Sequence, residues 1–106
     1  MREKDIEKYL VEKVKAAGGK AYKFVSPGNA GVPDRLVLFP KGTTVFVELK
    51  APGNKPTALQ EAQQKKIRNL GFLVLVIDSK EGVDELVRLY DVVQNLDNMG
   101  KEVLQG

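Results

Sequence analysis

The sequence predicts an α/β fold in which a mixed β-sheet is flanked by helices, in the order α-β-β-β-α-β-α. Three observations carry this. Apolar residues recur at helical spacing near both ends of the chain and once in its second half. Three short strand-like segments follow one another between residues 20 and 50. A continuous apolar run, Phe72 to Ile77, follows the middle helix. Consecutive strands favour an antiparallel meander, and a helix between two strands is the crossover that parallel pairing needs. The sheet is therefore expected to be mixed.

Residues 3–17 carry Ile6, Leu10, Val14 and Ala17 as a helical stripe flanked by Tyr9 and Val11, and Gly18-Gly19 ends it. Lys20 to Val25 reads as a short strand, and Ser26 to Pro33, rich in small residues and turn formers, as a loop. Asp34 to Phe39 is a strand, Pro40-Lys41-Gly42 a turn and Thr43 to Lys50 a longer strand, after which Ala51 to Pro56 forms a second loop. Thr57 with Gln60 three residues on fits a capping box that opens a helix ending at Gly71, with Leu59, Ala62, Ile67 and Leu70 assigned to the core. The unbroken apolarity of Phe72 to Ile77 predicts a buried central strand. Asp78 and Glu81 form another capping pattern. It leads into a helix over residues 80–97, with Val83, Leu86, Val87, Tyr90, Val93 and Leu96 on one face and a tail after Asn98 expected to fray.

At 106 residues a single domain, 1–106, is expected. The chain has no Cys and no His, which excludes disulfides, thiolate sites and imidazole bases. Any metal would have to be held by oxygen, which favours Mg²⁺ or Mn²⁺ over zinc. No apolar run approaches the length of a membrane span, and the charged start Met1-Arg2-Glu3-Lys4-Asp5 lacks a signal-peptide core, so a cytoplasmic protein is expected. A net charge of +3 is compatible with a polyanionic partner without specifying one.

The residues with most chemistry are Asp34, Glu48 and Lys50. Glu48 and Lys50 project from one face of their strand because side chains alternate. If Pro40-Lys41-Gly42 is a three-residue hairpin loop with Gly42 left-handed, Phe39 faces Thr43, Leu36 faces Phe46 and Asp34 faces Glu48. In that register two carboxylates can share one cation with a lysine beside them; another register separates them. Such a kit suits phosphodiester hydrolysis. A divalent ion neutralises phosphate charge and acidifies bound water, and a lysine orients that water or stabilises developing charge. A solvated edge strand carries the same Glu-X-Lys pattern, so spacing alone leaves both readings open.

Gly31-Val32-Pro33-Asp34 and Val47-Glu48-Leu49-Lys50 resemble, in order and spacing, the two motifs of the PD-(D/E)XK nuclease superfamily. The resemblance is closer to a small stand-alone VRR-NUC domain of the phage type, and it covers roughly residues 3–90. It implies a restriction-endonuclease-like fold and a metal-dependent, structure-specific DNA endonuclease. Asp34 and Glu48 would be metal ligands, with the Leu49 carbonyl as a third oxygen and Glu7 of the first helix as a further acidic ligand, one turn from the competing Glu3. Lys50 takes the catalytic lysine position, and Gln60 matches the glutamine of the following helix, with Gln63 as competitor. Ala58 stands where the family often has Pro. Small members resemble Holliday-junction resolvases and act as homodimers, which implies branched DNA as substrate and Mg²⁺ or Mn²⁺ as cofactor. Lys23, Arg35 and Lys55 are the expected DNA contacts, and flap, nick or duplex cleavage, or DNA binding without catalysis, are the alternatives.

Overall fold

The computed structural model describes residues 1–105. Its elements are α1 (Glu3–Ala16), β1 (Lys20–Lys23), β2 (Arg35–Leu38), β3 (Thr44–Leu49), α2 (Ala58–Asn69), β4 (Leu73–Ile77) and α3 (Lys80–Gln105), with a 3-10 turn at Pro40–Gly42. This is the order expected. The four strands form one sheet in the order β1-β2-β3-β4, antiparallel except for the parallel β3–β4 pair that α2 connects. Among the described residues no helix is long and apolar enough to cross a membrane.

The core lies on one face of the sheet. Val37, Val45, Val47, Leu49 and Ile77 meet Ile6, Leu10 and Val14 of α1 and Val83, Leu86 and Tyr90 of α3. Phe39 and Tyr90 stack with ring centroids 4.2 Å apart. At the end of α1 the N–H groups of Gly18 and Gly19 return to the carbonyls of Lys15 and Val14, closing the helix where the glycine pair predicts.

The β2–β3 hairpin has the expected register. Leu36 pairs with Phe46, and the Phe39 N–H donates to the Thr43 carbonyl at 2.8 Å. Gly42 is left-handed, with φ of 83°, as a three-residue loop requires. Lys41 is left-handed too, with φ of 67°.

Four expectations need correction. β4 is an edge strand, with Leu73 and Val76 exposed. Its unbroken apolarity arises because both of its faces are partly covered, Ile77 joining the core and Val74 buried on the α2 side. In α2, Leu59, Ala62 and Leu70 face solvent, Ile67 is half-buried, and the buried residue is Gln64. The cap of α3 is Ser79, whose Oγ accepts the Gly82 N–H at 3.0 Å, whereas Asp78 accepts the Gly53 N–H. Finally, α3 continues to Gln105, and Val93 and Leu96 are exposed although their spacing assigned them to the core.

Candidate active site

The hairpin register carries Asp34, just before β2, to the position opposite Glu48 near the end of β3. Asp34 is anchored there: its Oδ2 accepts the Leu49 N–H at 2.7 Å. Side-chain alternation puts Glu48 on the α2 face, opposite its neighbours Val47 and Leu49, which enter the core. Glu48 is only 1% exposed. Its Oε1 accepts the Gln60 side-chain N–H at 3.3 Å, and its Oε2 is buried without a partner. Burial first, and then the neighbouring Asp34 carboxyl, push the Glu48 carboxyl up to about 8, against an opposing pull from Lys50. Lys50, half-buried, leaves the strand with its N–H bonded to the Ile77 carbonyl at 3.0 Å. Two carboxyls and one ammonium therefore converge at the end of the β2–β3–β4 sheet.

Gln60 has two roles at once. Thr57 N–H donates to Gln60 Oε1 at 2.9 Å and Gln60 N–H donates to Thr57 Oγ1 at 3.2 Å, completing the capping box. With its oxygen held by the cap, the amide nitrogen is left to donate to Glu48. The helix cap and the site contact are thus one arrangement rather than rival explanations. Gln63 is half-buried and makes no such contact.

The acidic residues of α1 divide differently from expectation. Glu7 Oε2 accepts from Arg35 Nε at 3.1 Å, and Arg35 also donates to the Ala21 carbonyl at 3.1 Å. Arg35 projects to the α1 side of the sheet, its side chain only 16% exposed, so it is a strut between α1 and β1 rather than a free DNA contact. It is the negative charge of Glu3 that reaches Glu48 and helps raise its proton affinity. Among the described residues no three Asp or Glu side chains are gathered closely enough to form a metal cluster; the converging carboxyls are two. Lys23 and Lys55 are exposed.

Two contributors escape sequence reasoning. Asp78, at the end of β4, holds the Gly53 N–H at 3.2 Å and so ties down the loop that follows Lys50. Gln64, one turn after Gln60, is buried with its Nε2 unpartnered. Its signal was available: positions 60 and 64 share a helix face.

The loop before Asp34 packs on the first turn of α2. Gly31 has φ of 89°, and a Cβ there would lie 3.0 Å from both the Leu59 side chain and its carbonyl oxygen. Gly31→Ala is therefore expected to destabilise the fold by about 1–3 kcal/mol through the strained backbone alone. Pushing on Leu59 should also weaken the neighbouring Gln60 contact. Urea denaturation measures the first effect, and an unchanged midpoint would show that the loop yields freely.

No family model matches the chain. It is 54% identical over 81 residues to "Putative nuclease p44" of Acyrthosiphon pisum secondary endosymbiont phage 1, covering 76% of this chain and 87% of that protein. A solved structure described as a VRR_NUC domain superposes with a TM-score of 0.77 at 36% identity, covering 83% of this chain and 96% of the other. With the carboxylate–lysine site at the strand ends and these relationships together, the chain belongs to the VRR-NUC nucleases.

Proposed function

We propose that this nuclease is a Mg²⁺- or Mn²⁺-dependent DNA endonuclease that cuts branched DNA as a homodimer, in the manner of a Holliday-junction resolvase, within the host cytoplasm. The observation that carries the metal-dependent reading is the buried Glu48 with its orphaned Oε2 beside Asp34. A buried carboxyl without a partner costs folding free energy, and a hard cation is the ligand that removes this cost. The donor set fits: both side chains offer oxygen, and the chain has no His or Cys to recruit a softer ion.

Asp34 and Glu48 would hold the ion, with the Leu49 carbonyl as a further oxygen and Glu3 or Glu7 as the outer acidic group. When bound, the ion would neutralise charge on the phosphate and acidify a water molecule. The other tasks belong to the protein. Gln60 fixes the Glu48 carboxyl from the α2 side, and Asp34 is held by the Leu49 N–H. Lys50 provides the positive charge that orients the attacking water and stabilises the phosphate as negative charge builds. Lys23 and Lys55, both exposed, would meet backbone phosphates, which position a substrate without reading its sequence. A four-way junction needs two matched incisions, and a two-fold dimer supplies two sites.

The test is incubation with four-way junction, flap, nicked duplex, intact duplex and single-stranded DNA, with Mg²⁺, Mn²⁺ or EDTA. Symmetric junction cuts that need metal and vanish in Asp34→Asn are expected. Preferred cutting of the flap or of duplex would replace the resolvase reading with another nuclease role. Binding without cleavage of any substrate would leave a DNA-binding module.

A further inference from the structure

Helix α3 is longer than the body it packs on. Its 26 residues span about 39 Å, against about 21 Å for the 14 residues of α1. Val83, Leu86 and Tyr90 face the core, and up to residue 100 Tyr90 is the last buried apolar residue on it. Beyond and beside these, Leu89, Val92, Val93, Leu96 and Met99 are 44–62% exposed. The order Leu86, Leu89, Val93, Leu96 has the alternating three-and-four spacing of a helix-pairing seam. The intervening Asp91, Gln94, Asn95, Asp97 and Asn98 are all polar. An overhanging helical segment of about 15 residues is marginal in water without a partner for its apolar face.

The same face also holds a slot. A cleft of about 90 Å³ is walled by Phe39, Val45, Leu73, Leu86, Leu89 and Val93, where α3 crosses the exposed edge of the sheet. Ridge and slot lie on one surface, which is what a two-fold contact requires. We propose that a second copy of this chain covers this surface, the α3 overhang of each copy lying along the seam and cleft of the other. This rests on the homodimer reading above and names its interface. Leu73, Leu89, Val92, Val93, Leu96 and Met99, each about half exposed, offer on the order of 500 Å² per copy. The pair would bury about 1,000 Å², the lower bound for a specific interface before any polar rim is added. The charges on the outer half of the helix argue against DNA as the occupant. Arg88 is engaged with Glu85, and the charged side chains from there to residue 100 are Asp91 and Asp97.

The experiment is a mass measurement by light scattering on the full chain, wild type against Leu96→Glu and Val93→Glu. Both positions are exposed and lie outside the buried core, so the variants should keep a cooperative urea transition while the freed overhang loses part of its helical far-UV signal. The wild type is expected at twice 11.7 kDa and both variants at that single-chain mass. Because the chain has no Cys, introduced cysteines also report contact: oxidised Val93→Cys, at the midpoint of the seam, should form a covalent dimer, as should a mixture of Leu89→Cys and Leu96→Cys chains, and Asn95→Cys should not. A wild-type dimer that survives both glutamates and forms no cross-link would overturn this interface and leave the homodimer reading standing. A wild-type chain that stays single up to high concentration would overturn both.

Discussion

Lys50→Ala is expected to lower metal-dependent DNA cleavage by about 10²–10³-fold, the usual loss when one preorganised charge donor to an oxyanion is removed. The fold should be unaffected, because the strand is held at this point by the Lys50 backbone N–H to Ile77, which alanine retains. Metal affinity should not fall, since a cation is being taken away from beside two carboxyls. The loss therefore belongs in kcat, with KM little changed, if the ammonium acts on charge that develops only as the phosphate reacts. Lys50→Arg is the sharper comparison. It keeps the charge but replaces a compact ammonium with a wide planar group in a half-buried position, and recovery should be small. Cleavage by Lys50→Ala within a few-fold of wild type would remove the lysine from the chemistry.

How much of this was legible in the sequence depended on whether the signal was local. The hairpin was: loop length and side-chain alternation fix the register, and the register alone brings Asp34 to Glu48. The Thr57–Gln60 box was local too, and the sequence showed both its possible uses without revealing that they coincide. What escaped required knowing which surface an element covers. The run from Phe72 to Ile77 looks central because apolarity reports covered faces, and a strand can be covered on both faces while one edge stays open. Helix α2 was misread for the opposite reason. Its inward face is built around Gln60 and the buried Gln64 rather than Leu59 and Leu70, because it packs beside a carboxyl. In α3 the apolar spacing was read correctly but assigned wholly to the core, whereas Val92, Val93, Leu96 and Met99 are exposed. Arg35 looked like a spare cation at the site. Its partners Glu7 and Ala21 are 28 and 14 residues away, beyond any local pattern.

Glu48→Gln should make the metal-free protein more stable while removing its cleavage. The carboxyl ordinarily titrates near 4.5 and is pushed up to about 8 here, first by burial and then by Asp34. A folded-state value raised above the unfolded one means that the native state holds a proton the unfolded chain has released. The associated stability is fully present below about pH 4.5 and is lost as pH rises through about 8. Wild type in EDTA should therefore weaken across that window. The variant has no carboxyl to ionise, and its amide can keep both the Gln60 contact and a hydrogen bond to Asp34, so its profile should be flatter. The two should be similar near pH 5 and differ by on the order of 2–4 kcal/mol near pH 8.5, as urea denaturation at several pH values would measure. Mn²⁺ should close the gap by stabilising wild type near neutral pH and should do little for the variant. Curves that stay parallel from pH 5 to 8.5 would mean that Glu48 is not held protonated in the empty site. The unpartnered Oε2 would then have to be satisfied by some means other than a proton or a cation. If the curves diverge as expected, the site sacrifices stability in the absence of metal to keep two carboxyls together, and the strain is relieved by the ion they are arranged to hold.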